Sequence, residues 1–427
     1  MIEGLSVRHS LGPLGLTGYQ WFALLLCALT FLIEGYDMAA MPIAAPTLGK
    51  ELGVNATRLG TAIVALNIGA IIGNGFLAPI GDRFSRKWTV TISTVLLGIC
   101  VTLTATAASI TQVVAWRFIS GLAFGVATAN VVALMADQFP RNRRALLVVL
   151  AATNLPLGSA LCGFGAAGIT AALGWRGLFV IGGVAGIALG LVIGAALRGG
   201  ASVEVREEAE PSEGLAGKGP ILRLFEPGLI GVTLPLWLLG FCNASILFVM
   251  LNWLPTMLTG IGWTLGESTR APAIVSIGGV MSGIVLAFLV DIGRAAVALR
   301  FAFLALIVTM ALFLVVPPSV PVWTGMLLIA GLLSSGSHTA ERGLYATLYP
   351  KAVRATGVGW GNMMSRLGNV IGTLTAAVLI DLKLDVSHTL GMMVVPATIA
   401  LLCTIPLGRA DRRRRAAESA MPNGGRQ

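Results

Sequence analysis

The sequence predicts an all-α membrane protein with twelve transmembrane helices in two six-helix halves. Three observations predict it. The chain of 427 residues is 56% hydrophobic and only 11% charged, whereas a water-soluble domain carries roughly 25% charged residues. Its mean hydropathy is +0.86, so most of its surface must face lipid. Apolar runs recur from Trp21 to Leu407, and ~20 such residues make a helix that crosses the ~30 Å hydrocarbon layer.

Taken in order, the first six spans fall near 21–43, 57–80, 88–107, 112–135, 145–168 and 174–197. The second six fall near 228–251, 268–290, 295–317, 321–342, 354–380 and 387–408. A membrane barrel would need alternating segments of ~10 residues, and none occur. The 54 glycines fit a helical bundle, because small residues let membrane helices approach closely. Residues 1–20 lack a short apolar run with a small-residue cleavage site, so the first span is expected to stay in the mature protein.

The net charge of +10 follows membrane topology and does not point to nucleic acid. Of the 29 Lys and Arg, only Lys50, Arg58, Arg176, Arg270 and Lys383 fall on outer segments, and Arg117 and Arg366 lie within spans. The rest sit on inner segments, a positive-inside bias that places both termini in the cytoplasm. The run Arg412–Arg415 then anchors the tail beside anionic lipid. The expected organisation is a half at 1–197, a charged linker at 198–227, a second half at 228–408 and a basic tail at 409–427. The five cysteines, all inside spans and widely separated, read as buried apolar thiols.

The halves echo each other. Asp82-Arg83 follows the second span and Asp291-Ile292-Gly293-Arg294 follows the eighth, so an acidic residue and then arginine recur in short cytoplasmic turns. A repeated six-helix unit with its site between the repeats is the plan of many secondary transporters.

These residues resemble the major facilitator superfamily. Asp82-Arg83-Phe84-Ser85-Arg86-Lys87 is similar to its signature loop between helices 2 and 3, with Ala78 and Ser85 where glycine is usual. Arg117-Phe-Ile-Ser-Gly121-Leu-Ala-Phe-Gly125 resembles its helix 4 motif. A narrower resemblance is to the aromatic acid:proton symporter branch. Glu34-Gly35-Tyr36-Asp37 stands where that branch has Asp-Gly-Tyr-Asp, and Ser365-Arg366-Leu367-Gly368 where it has Gly-Arg-Ile-Gly. Phe139–Arg144, Asn252-Trp253-Leu254-Pro255 and Tyr349–Gly357 extend the likeness. The resemblance implies a cytoplasmic gate at Asp82, Arg83, Arg86 and Lys87, and a part for Arg117 in proton coupling.

The residues themselves point to a site. A charge at the bilayer centre costs ~2.5–3.5 kcal/mol or more, so an ionisable residue there is a functional candidate. Glu34 lies about 20 Å along helix 1 from the cytoplasmic end, and Asp37 follows one turn later on the same face. Two carboxylates this close in low dielectric cannot both ionise comfortably, which makes a proton site; a static salt bridge with an arginine is the alternative. Arg366 lies about 18 Å into helix 11, where its planar fork can clamp a substrate carboxylate or pair with helix 1. Asn362 shares its face.

Tyr36 reads equally as core or as substrate contact. Arg117 lies nearer the outer edge of helix 4 and can snorkel. His338, among Ser334, Ser335, Gly336 and Ser337, reads as a packing residue or as a cavity ligand. Asn67, Asn154 and Asn243 either line the cavity or join helices; Asn154 is taken with the substrate residues.

No Gly-rich phosphate loop occurs, and three histidines far apart make a metal centre improbable. An enzyme and a cofactor are therefore not expected; the proton gradient is the energy source. The expected partners are a small organic anion, protons and the lipid bilayer. The chain is expected as a monomer in a bacterial inner membrane. The expected function is proton-coupled uptake of a small aromatic carboxylate such as a hydroxybenzoate. Transport of a non-aromatic organic anion and efflux stay open beside it. A transport-like sensor would need a soluble signalling domain, and the tail at 409–427 is too short for one.

Overall fold

The structure, a computed structural model, describes residues 16–139, 144–197, 220–291 and 295–420, and every regular element among them is helical. The helices are α1 (Gly18–Leu52), α2 (Ala56–Ile72), α3 (Arg86–Thr104), α4 (Ile110–Gln138), α5 (Arg144–Ala152), α6 (Asn154–Ala196), α7 (Ile230–Gly260), α8 (Leu265–Asp291), α9 (Ala295–Leu312), α10 (Val320–Leu348), α11 (Lys351–Asp381) and α12 (Val394–Ala420). Short helical turns at Ile80–Arg83, Pro220–Arg223 and Val386–Gly391 join some of them. Most of the expected linker, the end of the tail, and Arg141, Arg143 and Arg294 of the inner segments fall outside the described residues or have side chains that do.

Local sequence sets the ends. The Thr17 hydroxyl accepts the Gln20 N–H while the Gln20 side chain accepts the Thr17 N–H at 3.0 Å, a reciprocal cap that starts α1. Gly53, at φ 61°, supplies the left-handed residue that ends it. Gly174, at φ 67°, turns α6 so that the residues before and after it run in different directions.

Nine segments among the described residues are long and apolar enough to cross a membrane, with Ala296–Leu312 a shorter apolar helix. The pattern of exposure is that of a chain in lipid. Leu25, Phe301, Leu304, Val308 and Val315 are exposed, while Glu34, Asp37, Arg117 and Glu341 are buried. An aqueous fold does the reverse.

The helices outrun the expected spans at both ends: the first span expected at 21–43 lies within Gly18–Leu52, and the tenth, expected to end at 342, continues to Leu348. An apolar window marks the part of a helix that needs lipid, and hydrogen bonding continues the helix past it. The second span is not regular either, since α2 passes into a π-helical turn at Gly73–Leu77.

Two close crossings set the first half. A Cβ on Gly69 of α2, or on Gly73 of the π-helical turn that follows, would strike the carbonyls of Phe118 and Leu122, and one on Gly121 of α4 would strike that of Leu66. A Cβ on Gly35 of α1 would strike the Leu155 carbonyl, and one on Gly158 the Leu32 carbonyl. Backbone contact of this kind is how membrane helices associate without a hydrophobic driving force.

The helices before residue 197 meet those after 220 chiefly through α2 with α11, α6 with α8, and α1 with α7. Along the first seam Gly60 lies against Leu374 and Ala377, and Asn369 donates to Asn67 at 3.0 Å. At its end the Asp381 carboxylate accepts from the N–H groups of Ala56 and Thr57.

Candidate functional site

The middle of α1 carries two acidic residues, and the fold gives them different partners. Asp37 is buried and its Oδ1 accepts from Arg117 Nη1 at 2.5 Å, while Nη2 donates to the Asp37 carbonyl at 3.2 Å. Arg117 is 1% exposed and its guanidinium lies 6.0 Å from the Phe179 ring centroid. Snorkelling is therefore corrected. The paired Asp37 offsets the cost of burying the arginine, so α4 has no need to carry its charge to water.

Glu34, one turn from Asp37, is completely buried. Thr128 of α4 lies 3.1 Å from Oε2 and is placed to donate to it, though the same hydroxyl is 2.8 Å from the Phe124 carbonyl. Among the described residues Oε1 has no hydrogen-bond partner. The carboxylate feels the charges of Asp37 and, from the other half, of Arg366. Arg366 is half-buried on α11. Thus two acids and Arg117 gather where α1 meets α4, with the charge of Arg366 on α11 within reach of Glu34. Asn362, one turn before Arg366 on the same face of α11, is exposed.

The other expected residues are distributed more widely. The Tyr36 ring lies against the position that a Cβ on Gly182 would fill, with Cys162 beside its hydroxyl, so it sits in the packing of α1 on α6. Asn154 turns back on its own chain, its Nδ2 donating to the Leu150 and Ala151 carbonyls at 3.1 Å each. That is a consequence of the break between α5 and α6, which leaves those carbonyls without their helical partners. Asn67 and Asn243 join helices, Asn243 donating to the Ser334 carbonyl at 3.1 Å.

At the start of α3, Arg86 pairs with Asp137 of α4 at 2.5 Å, and Lys87 lies 5.0 Å from the Trp88 ring centroid. Asp82 and Arg83 occupy the helical turn Ile80–Arg83; their side chains lie outside the described residues. All five cysteines are buried and free. No group of three or more His, Cys, Asp or Glu able to hold a metal occurs among the described residues.

His338 of α10 faces a residue that sequence reasoning missed. Its Nδ1 lies 3.4 Å from Oε2 of Glu341, which is 1% exposed. Glu341 was hidden by its place at the predicted edge of the tenth span, next to Arg342. The spacing from His338 to Glu341 to Tyr345, three and then four residues, was the available signal that they share one helical face.

Comparison with known proteins accords with this architecture. The chain is 29% identical to the 4-hydroxybenzoate transporter of Pseudomonas putida, covering 95% of this chain and 96% of the relative. It is 27% identical to the gallate transporter of the same organism, covering 95% of each. It is 29% identical to the 3-(3-hydroxy-phenyl)propionate transporter of Escherichia coli, covering 87% of this chain and 89% of that one. Among solved structures, a D-xylose-proton symporter superposes with TM-score 0.72 at 17% identity, covering 91% of this chain and 97% of that one. An inward-facing bacterial homologue of the human lysosomal transporter Spinster gives 0.69 at 16%, covering 93% and 98%; at these identities the likeness concerns the fold. The sequence model of the Major Facilitator Superfamily matches residues 26–373, and the chain belongs to that superfamily of transporters, not to an enzyme family.

Proposed function

We propose that the protein imports a small aromatic carboxylate together with protons across a bacterial inner membrane, passing it twelve times with both termini in the cytoplasm. The observation that carries this reading is the buried Glu34 of the first half within electrostatic reach of Arg366 of the second. A carboxylate leaving water needs a charged partner of fixed geometry, and Arg366 offers a planar fork. Protonation of Glu34 removes the internal competitor for that fork. Substrate anion and proton then load together, so the filled site carries the same net charge as the empty one through the rocking of the halves. Asp37, held by Arg117, keeps the remaining charge balanced.

The aromatic class is supported by the names of the relatives above, and the proton by the completely buried Glu34 carboxylate. Asn362, exposed one turn from Arg366, is suited to a ring hydroxyl. Asp82, Arg83, Arg86 and Lys87 form the inner gate. The test is uptake of labelled 4-hydroxybenzoate, gallate and an aliphatic acid panel by the purified protein in proteoliposomes under an acid-outside gradient. The expected result is accumulation of at least one aromatic carboxylate, collapsed by a protonophore. Accumulation of aliphatic acids alone, or uptake indifferent to the gradient, overturns it.

A further inference from the structure

A further buried carboxylate lies apart from the α1 site. Glu341 of α10 is enclosed by three helices. Tyr345 Oη donates to its Oε1 at 2.8 Å, and the Ser365 hydroxyl of α11 lies 3.2 Å from the same oxygen. The Gly240 backbone of α7 lies so close that a Cβ there would collide with Oε1. Oε2 faces His338 Nδ1 at 3.4 Å. Around this carboxylate α10 presents His338 and Tyr345, with Tyr349 stacked on the Tyr345 ring at 6.3 Å. Helix α11 presents the uncharged Ser365, followed in the chain by Arg366, and α7 presents backbone. Among the described side chains of its own helix, Glu341 has two titratable neighbours, His338 one turn before it and Tyr345 one turn after.

An ionised carboxylate in this position is expensive, and hydroxyl donors alone do not neutralise it. Two arrangements leave the pair without net charge: protonated Glu341 with neutral His338, or ionised Glu341 with imidazolium. Adding or removing one proton converts either into a charged pair. The His338 side chain is 19% exposed and that of Glu341 1%, so the histidine is the side on which water can reach the pair.

We propose that Glu341 and His338 form a second proton-binding site, in the half opposite to Glu34, which exchanges its proton with water through the imidazole. A hydronium ion gives its proton to His338 Nε2 and leaves as water, and the imidazole gives up the proton on Nδ1 to ionised Glu341 Oε2; one N–H and one O–H bond form, and one O–H and one N–H bond break. Ser365 joins this site to the residue beside it, Arg366, so the charge on Glu341 and the occupancy of the substrate site act on adjacent positions of α11. The transport role rests on the proton-coupled reading above, whereas proton binding does not.

The test uses the full-length wild type, E341Q and H338Q. E341Q keeps the shape and an oxygen acceptor but cannot titrate. Infrared difference spectra of the purified protein across a pH series report carboxyl protonation without any substrate. The expected result is a carboxyl band that titrates in the wild type, is lost in E341Q with the remaining bands retained, and titrates at a different pH in H338Q. In proteoliposomes, labelled 4-hydroxybenzoate and a pH dye then give the proton-to-substrate ratio, which falls by about one in E341Q while exchange persists. A spectrum unchanged by E341Q overturns the site. Should E341Q fail to fold, a carboxyl band that titrates in H338Q as it does in the wild type overturns it instead. A lost band with an unchanged ratio overturns its part in coupling. A wild type that carries 4-hydroxybenzoate without protons, or does not carry it at all, overturns the proposed function and the coupling part with it, and the infrared result still decides the site.

Discussion

Asp381 accepts two hydrogen bonds from Thr57, one from its N–H at 2.9 Å and one from its hydroxyl at 2.5 Å, although the two residues belong to different halves. A third comes from the Ala56 N–H at 2.8 Å. A helix start leaves four N–H groups without partners and favours negative charge. In α2 the Asn55 side chain takes the Arg58 N–H, and the last residue of α11 takes the two before it. The end of α11 thus caps the beginning of α2.

On the proposed orientation this end faces outside, and opening it has to break this cap. Asp381→Asn loses the charge and cannot accept all three bonds equally well, and charge-assisted bonds contribute about 1.5–3 kcal/mol each. The expected outcome is a population shift toward the outward-open state. A cysteine placed at Leu374, beside Gly60 on the same seam, should then react roughly tenfold faster with an impermeant thiol reagent, since ~1.4 kcal/mol is a factor of ten. The native cysteines are buried and give little background. Equal labelling rates in wild type and variant would mean that the cap does not govern opening.

Asp37→Asn leaves the Arg117 charge buried without its counter-charge. Removing one partner of a buried pair typically costs about 3–5 kcal/mol. The variant should melt well below wild type, and Asp37→Asn combined with Arg117→Gln should recover part of the loss. Both should lack concentrative uptake. A single variant with wild-type stability would show that the pair contributes little to the fold.

Arg366→Lys keeps the charge and loses the fork, so substrate affinity should fall, and Arg366→Ala should lower it further. At about 1.5–3 kcal/mol for a charged hydrogen bond the loss is roughly one to two orders of magnitude, measured per correctly folded molecule. Glu34→Asp, which restores the residue usual in the aromatic acid branch, should retain uptake. Well-folded Arg366→Ala with normal affinity would move the anion site elsewhere.

Gly35→Ala should fail for a steric reason. Its Cβ would meet the Leu155 carbonyl, and backbone cannot rotate aside as a side chain can. Overpacking costs about 1–3 kcal/mol or more, and here it would also displace Glu34 and Tyr36 on either side. Thermal unfolding in detergent should show a large loss, with little protein reaching the membrane. A Gly35→Ala protein as stable as wild type would contradict the close crossing of α1 and α6.

The helical membrane class was decided by composition, because so few charges cannot cover a surface in water whatever the topology. Glu34, Asp37 and Arg366 were also visible in sequence, since an ionisable residue inside an apolar run stands out against its cost in lipid. Sequence could not say which acid would meet which arginine. Asp37 and Glu34 share a face of α1, yet Arg117 from α4 takes one, while Arg366 approaches the other from α11. Arg117 shows the limit most clearly: its depth along a helix allowed snorkelling, and only the partner placed beside it made burial favourable. Asp381 and Glu341 went unnoticed because each lies at the end of an apolar window, where an acidic residue has no apparent cost. What gives them roles is a contact with another helix, and such contacts depend on how the helices pack, which hydropathy along one chain does not encode.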